Sequence, residues 1–261
     1  MSAITDAVSQ IQTFRDSKVV SPWVNFPRNV LADGLEARVR NADLIDTSSI
    51  NLCGPGSFFR NMALDYTALY AKIGMELYDK GKTEFNGHKI EANQKLFNSS
   101  VSSAVAAVDW IMLATYQNSE NIAWGFTSES DGFGGITLPG KLVDWFQSIG
   151  YKTTENSTNV FFTKGVSHLL AASNYYTHGY RVCLFINAQM LYTNSIYSSS
   201  FCPNHWVVLD SPVEVVMRSK VQFIEFDAWC WGKSRRIPAT GYVSAENLTN
   251  NYYGFVAVRG S

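Results

Sequence analysis

Asn51-Leu52-Cys53-Gly54-Pro55-Gly56-Ser57 opens the stretch whose reading decides the fold. Behind it Phe58, Phe59, Met62, Ala63, Tyr66, Leu69, Tyr70, Ile73 and Leu77 recur at helical spacing, which predicts an amphipathic helix of about six turns ending at Lys80-Gly81. Gly-Pro just inside the start suits a helix N-terminus, because proline there gives up only a hydrogen bond that the helix end does not make. Cys53 is therefore expected at the positive end of a helix, where a thiol loses its proton more readily.

The flanking regions give the fold class. A short helix is expected over 7–14 and a second over 29–40, so residues 1–46 read as an N-terminal extension packed on a main domain of residues 47–261. Residues 82–92 read as a short hairpin or loop around the turn signal Asn86-Gly87. Further helices are expected over 98–116, 138–149 and 166–176. The chain then turns to strand at 180–187, 205–209, 221–231 and 251–258, where β-branched and aromatic residues gather. Helices first and an antiparallel sheet second make an α+β protein.

Composition narrows the function. The chain has 261 residues, 46% hydrophobic and 16% charged, enough for a substantial core. A net charge of −1 argues against electrostatic nucleic-acid binding. Lys233-Ser234-Arg235-Arg236 is short and reads as solvated loop charge. No apolar run is long enough for a membrane span, and residues 1–16 lack the basic-then-apolar order of a secretory signal. The expected product is made in the cytoplasm; export, if any, needs no cleaved signal. Cys53, Cys183, Cys202 and Cys230 are irregularly spaced, without a C-x-x-C or a zinc-finger pattern, so neither a metal nor an organic cofactor is expected. Cys183 and Cys230 read as buried strand residues, and Cys202 as a loop residue. The glycine-rich stretch Asp131-Gly-Phe-Gly-Gly135 lacks the Lys-Ser/Thr of a P-loop and reads as a turn.

A lone cysteine at a helix start is more often an inert core thiol than a nucleophile. His205 changes that balance. It opens the strand His205-Trp-Val-Val-Leu209 behind the small-residue loop 197–204, about 150 residues after Cys53. A thiol and an imidazole in this order suit nucleophilic catalysis, the imidazole taking the thiol proton and returning it to the leaving group.

Leu52-Cys53-Gly54-Pro55, the unit from Leu169 through Tyr180-Arg-Val-Cys-Leu-Phe-Ile186, and Asn204-His205-Trp206-Val207-Val208-Leu209 together resemble the papain-like cysteine hydrolases. The resemblance is closest to peptidase domains of bacteriocin-processing transporters and to bacterial cysteine-protease effectors. Trp231-Gly232 is similar to the Trp-Gly of that family. The resemblance implies a papain-like fold, with a helical half carrying Cys53 packed on a sheet half carrying His205. It implies a peptidase with a thiolate–imidazolium pair and a protein or peptide substrate. Its biological setting would be a bacterial toxin or effector in a target cell, with an immunity protein if the product harms its maker. The family's orienting residue stands on the strand after the histidine, where Asp227 is the first choice and Asp210 the alternative; the position of the usual Asn holds Trp229. The Gln that serves as oxyanion donor is replaced by other residues, of which Asn51 is the candidate. Glutamine deamidation or transamidation on the same site, and a non-catalytic binding module, are the competing readings.

Overall fold

The computed structural model describes residues 2–120, 137–191, 203–238 and 243–260. The chain is α+β and divides into two compact units, 1–137 and 138–261. The boundary thus falls at 137/138 and not at 46/47. Residues 1–46 are part of the first unit's core rather than an extension. Helices α1 (Ala3–Asp16) and α2 (Arg28–Arg40) bury Ala7, Ile11, Phe14, Leu31 and Leu35. Both pack on a later helix, α4 (Thr67–Lys80), where Phe14 meets the edge of Tyr78 at 5.6 Å and carries the Arg28 guanidinium on its face at 4.4 Å.

The expected six-turn helix is two helices, α3 (Cys53–Asp65) and α4 (Thr67–Lys80). Tyr66 breaks them, with φ −130° and ψ 51°. The Thr67 hydroxyl bonds the carbonyl of Ala63 at 2.9 Å, the local competition that disfavours Ser and Thr inside helices. The Asn86-Gly87 turn joins β1 (Lys82–Phe85) to β2 (His88–Glu91), with positive φ at both turn residues as such a hairpin requires. Next comes the single turn α5 (Gln94–Phe97). The helix expected over 98–116 starts only at residue 107. Upstream, Ser99 Oγ donates to the Leu96 carbonyl at 2.6 Å and accepts from Trp110 Nε1 at 2.7 Å, holding the serine-rich segment outside a helix. The run then comprises α6 (Ala107–Asp109), a π turn (Trp110–Ala114) and α7 (Thr115–Glu120).

A buried ion pair organises this unit. Arg38 Nε donates to Asp109 Oδ1 at 2.7 Å, and Nη2 to Oδ2 at 2.5 Å. Oδ2 also accepts the backbone N–H of Asp46 at 3.0 Å. One carboxylate therefore ties α2 and α6 to the segment that leads into Cys53.

The second unit opens with α8 (Pro139–Ser148) and β3 (Lys152–Asn156), followed by α9 (Val166–Thr177), β4 (Arg181–Ile186) and β5 (His205–Leu209). The hairpin of β6 (Glu214–Arg218) and β7 (Val221–Cys230), then β8 (Lys233–Ile237), β9 (Val243–Ser244), α10 (Ala245–Thr249) and β10 (Tyr252–Arg259) complete it. The sheet is antiparallel in the order β3-β10-β4-β5-β7-β6, with β8 and β9 also pairing β7. One face packs Leu184, Ile186, Val207, Leu209, Ile224 and Phe226 against Leu169 and Ala172 of α9 and Leu248 of α10. On the other, Phe185 stacks on its cross-strand partner Trp206 at 4.4 Å. Gly254, at φ 118°, sits in a register shift of β10. A Cβ there would lie 2.5 Å from the Ser157 carbonyl oxygen, so only glycine fits. The Lys233–Arg236 cluster, expected in a loop, is strand β8. Arg236 bonds Glu225 at 2.7 Å and Glu214 at 3.1 Å, so its charge is matched across strands.

Candidate functional site

Cys53 is the first residue of α3, as its sequence neighbourhood predicts, and is buried. Leu52 precedes the helix in a non-helical conformation, and its carbonyl accepts from Gly56 N at 2.9 Å. Pro55 occupies the third helical position, still among the N–H groups that a helix start leaves without an intrahelical acceptor. Gly54 is required by contact. A Cβ there would fall 2.2 Å from Thr137 Oγ1 and 2.3 Å from its Cβ. Thr137 Oγ1 donates to Gln117 Oε1 at 2.7 Å, and both residues are buried. The start of α3 is thus braced against residue 137 and, through it, α7. Sequence reading missed Gln117 and Thr137; a glutamine directly after the largely apolar run 108–116 was the available signal. Asn51, the expected oxyanion donor, is exposed, so it lacks the burial that fixes such a donor in place.

His205 begins β5 and is 5% exposed. The strand's approach is anchored at Asn204, whose N–H donates to the Ile186 carbonyl at 3.0 Å and whose Oδ1 accepts from Ala188 N at 2.8 Å. By strand alternation His205 shares the face of Val207 and Leu209, the face that α9 covers. Its ring lies 4.9 Å from that of Trp231, tilted by 34°. Arg235 places its guanidinium 5.0 Å from the same indole. Burial, helped by the Arg235 charge, pushes the imidazole from its ordinary 6.5 down to about 3. The ring is neutral at pH 7. This differs from the imidazolium half of a resting ion pair that the resemblance implies. His205 Nε2 and Arg235 Nε are both buried without a hydrogen-bond partner among the described residues. Such atoms are costly and ask for an explanation.

Trp231 and Gly232 form the turn between β7 and β8, with φ 50° and 77°. A left-handed conformation is rare for a residue as bulky as tryptophan and costs about 1–2 kcal/mol. Here it aims the indole at His205 and Arg235.

Asp227 is not beside His205, and the strand register gives the reason. Val208 pairs Trp229 and Leu209 pairs Ala228, so Asp210 and Ser211 are next in line and donate their N–H groups to the Asp227 carbonyl at 2.8 and 3.2 Å. The antiparallel partner runs backwards, and Asp227 lies at the far end of β5, about 17 Å from His205 at some 3.4 Å per residue. Its carboxylate is half exposed and faces Arg236 at 3.6 Å. Asp210 shares that far end. The end of β7 that reaches His205 carries Trp231 instead of a carboxylate.

Of the remaining readings, Cys183 and Cys230 are buried strand residues as expected. His178 caps α9, with Nδ1 2.7 Å from the Asn174 carbonyl. His168 is partly buried, with Nδ1 2.9 Å from Tyr252 Oη. Cys202, residues 197–201 of the loop before β5, and the stretch Asp131–Gly135 lie outside the described residues. Among the described residues no group of three or more His, Cys, Asp or Glu side chains could hold a metal ion, and no helix is long and apolar enough to cross a membrane. No protein-family model, characterised protein or solved structure matches the chain.

Proposed function

We propose that the protein is a papain-like cysteine hydrolase, a peptidase with Cys53 as nucleophile and His205 as general base. The observation that carries the reading is the imidazole of His205: buried at the start of β5 with Nε2 unbonded among the described residues. A base needs a lone pair ready for a proton, and a structural histidine would be expected to spend it on a hydrogen bond. The start of α3 supports the nucleophile's role, since a helix N-terminus favours both a thiolate and the oxyanion that its attack creates.

In the proposed reaction Cys53 Sγ bonds to the substrate carbonyl carbon while its proton passes to His205 Nε2. The resulting imidazolium protonates the leaving amine as the carbon–nitrogen bond breaks, leaving an acyl thioester. Water then adds, giving its proton to His205, and the carbon–sulfur bond breaks to release the acid and restore the thiol. The proposed setting is a bacterial effector or toxin acting on proteins of a target cell, restrained in its maker by an immunity protein.

A second reading is a binding module that keeps such a fold without the chemistry. It is favoured by the distance of Asp227 from His205 and by the exposure of Asn51. A comparison of target-cell proteins exposed to wild type and to Cys53→Ala separates the readings. New chain termini produced only by wild type support the peptidase. Glutamine side chains converted to glutamate or cross-linked, without new termini, replace it with the deamidase or transamidase. Identical profiles from the two proteins leave the binding module.

A further inference from the structure

We propose that β6 is a self-association edge, through which two copies of this chain pair antiparallel about a two-fold axis at Val216. β6 ends the sheet, and β7 is its neighbour among the described residues. An edge strand presents unpaired N–H and C=O groups, which sheets commonly protect with a central charge, a proline or a bulge. Glu214-Val215-Val216-Met217-Arg218 has none of these at its centre. Val215 and Met217 are 38% and 59% exposed. They lie on the face of Ile224, the cross-strand partner of Val215, so the apolar surface of the core continues into solvent here.

The occupant follows from the strand's own charges. When Val216 faces Val216 of a second copy, Glu214 faces Arg218 at both ends, and Val215 faces Met217 on both sides. Opposite charges and apolar pairs directly across a ladder stabilise it. A two-residue slip loses both charge pairs, and in-register parallel stacking would set Glu on Glu and Arg on Arg. The sequence thus selects one register and disfavours an open fibre. Glu214 stays available: it accepts from Arg236 at 3.1 Å yet keeps 62% of its side chain exposed. Pro212 and the Ser219-Lys220 turn, with φ 47° and 68°, bound the strand, so the shared ladder is about five residues long. An interface this small is weak and self-complementary, and it closes at two copies.

Sedimentation velocity over a concentration series tests the pairing in the full chain. The expected result is a monomer–dimer equilibrium that Met217→Asp, a change at an exposed position, weakens at least tenfold. Glu214→Arg and Arg218→Glu should each weaken it by a similar factor, and the double exchange should restore it. Circular dichroism melts of each variant at dilute concentration confirm that the monomer is folded. A chain that stays monomeric at every concentration, a series that grows beyond dimers, or a double exchange no better than the single ones would overturn the proposal.

Discussion

Two arginines, Arg38 buried and Arg235 partly buried, meet opposite circumstances in this protein. In the first unit Arg38 is held by both oxygens of Asp109, and the same carboxylate takes the backbone N–H of Asp46. In the second unit Arg235 lies over Trp231 with its Nε unbonded among the described residues, beside a histidine whose Nε2 is equally unbonded. The first arrangement closes on itself and ties three segments together. The second leaves two buried nitrogens without partners among the described residues, which is energetically costly. The contrast is between a buried polar cluster whose partners are all present and one that keeps two buried nitrogens unbonded among the described residues.

Breaking the closed cluster should give the largest effect. Asp109→Ala leaves Arg38 charged and unpaired, and chemical denaturation should show a loss of about 3–5 kcal/mol. Arg38→Met in that background should recover part of it, because the unpaired charge goes too. The open cluster should reveal itself through pH. The His205 pKa is lower in the folded than in the unfolded chain, so on acidification the unfolded chain takes up the proton first. Stability should be full above pH 6.5 and fall as the pH drops toward 3, by about 1.4 kcal/mol per unit. Denaturant melts between pH 7.5 and 5 confine the test to a window above most carboxylates, and His205→Phe should flatten the slope. His168 is lowered too, by burial and the Lys164 charge, but it is only partly buried and should add less.

Cys53 at a helix start and His205 at a strand start were legible because helical spacing and β-branched runs mark element ends. So was the order of helices followed by sheet. The separation of Asp227 from His205 was not legible. Spacing along the chain does not reveal which end of an antiparallel neighbour lies opposite, and register alone decided it. Strands β3, β6 and β8 were missed because Lys152–Asn156, Glu214–Arg218 and Lys233–Ile237 are short and largely polar or exposed, so burial periodicity barely marks them. The brace of Gln117 and Thr137 at Gly54 joins residues far apart in sequence, which no local pattern reports.

That brace gives the next comparison. Gly54→Ala drives a Cβ into Thr137 and should cost about 1–3 kcal/mol in a thermal melt. Gly140→Ala in α8, with nothing within 4 Å of the added atom, should be neutral or stabilising by up to about 1 kcal/mol. Equal effects would remove the argument that the start of α3 is tightly packed. The smallest effect is expected at Asp227. Its half-exposed pair with Arg236 should contribute under about 1 kcal/mol, and Asp227→Ala should leave the reactivity of Cys53 unchanged.

That reactivity is the most direct test of the proposed chemistry. The rate of iodoacetamide addition to the peptide carrying Cys53, followed by mass spectrometry from pH 5 to 9, reads the thiol and its base together. Wild type should alkylate well below pH 8, and His205→Ala should fall to the curve of an ordinary thiol with a pKa near 8.5. An ordinary curve for wild type, unchanged in His205→Ala, would contradict the assignment of Cys53 and His205 as nucleophile and base.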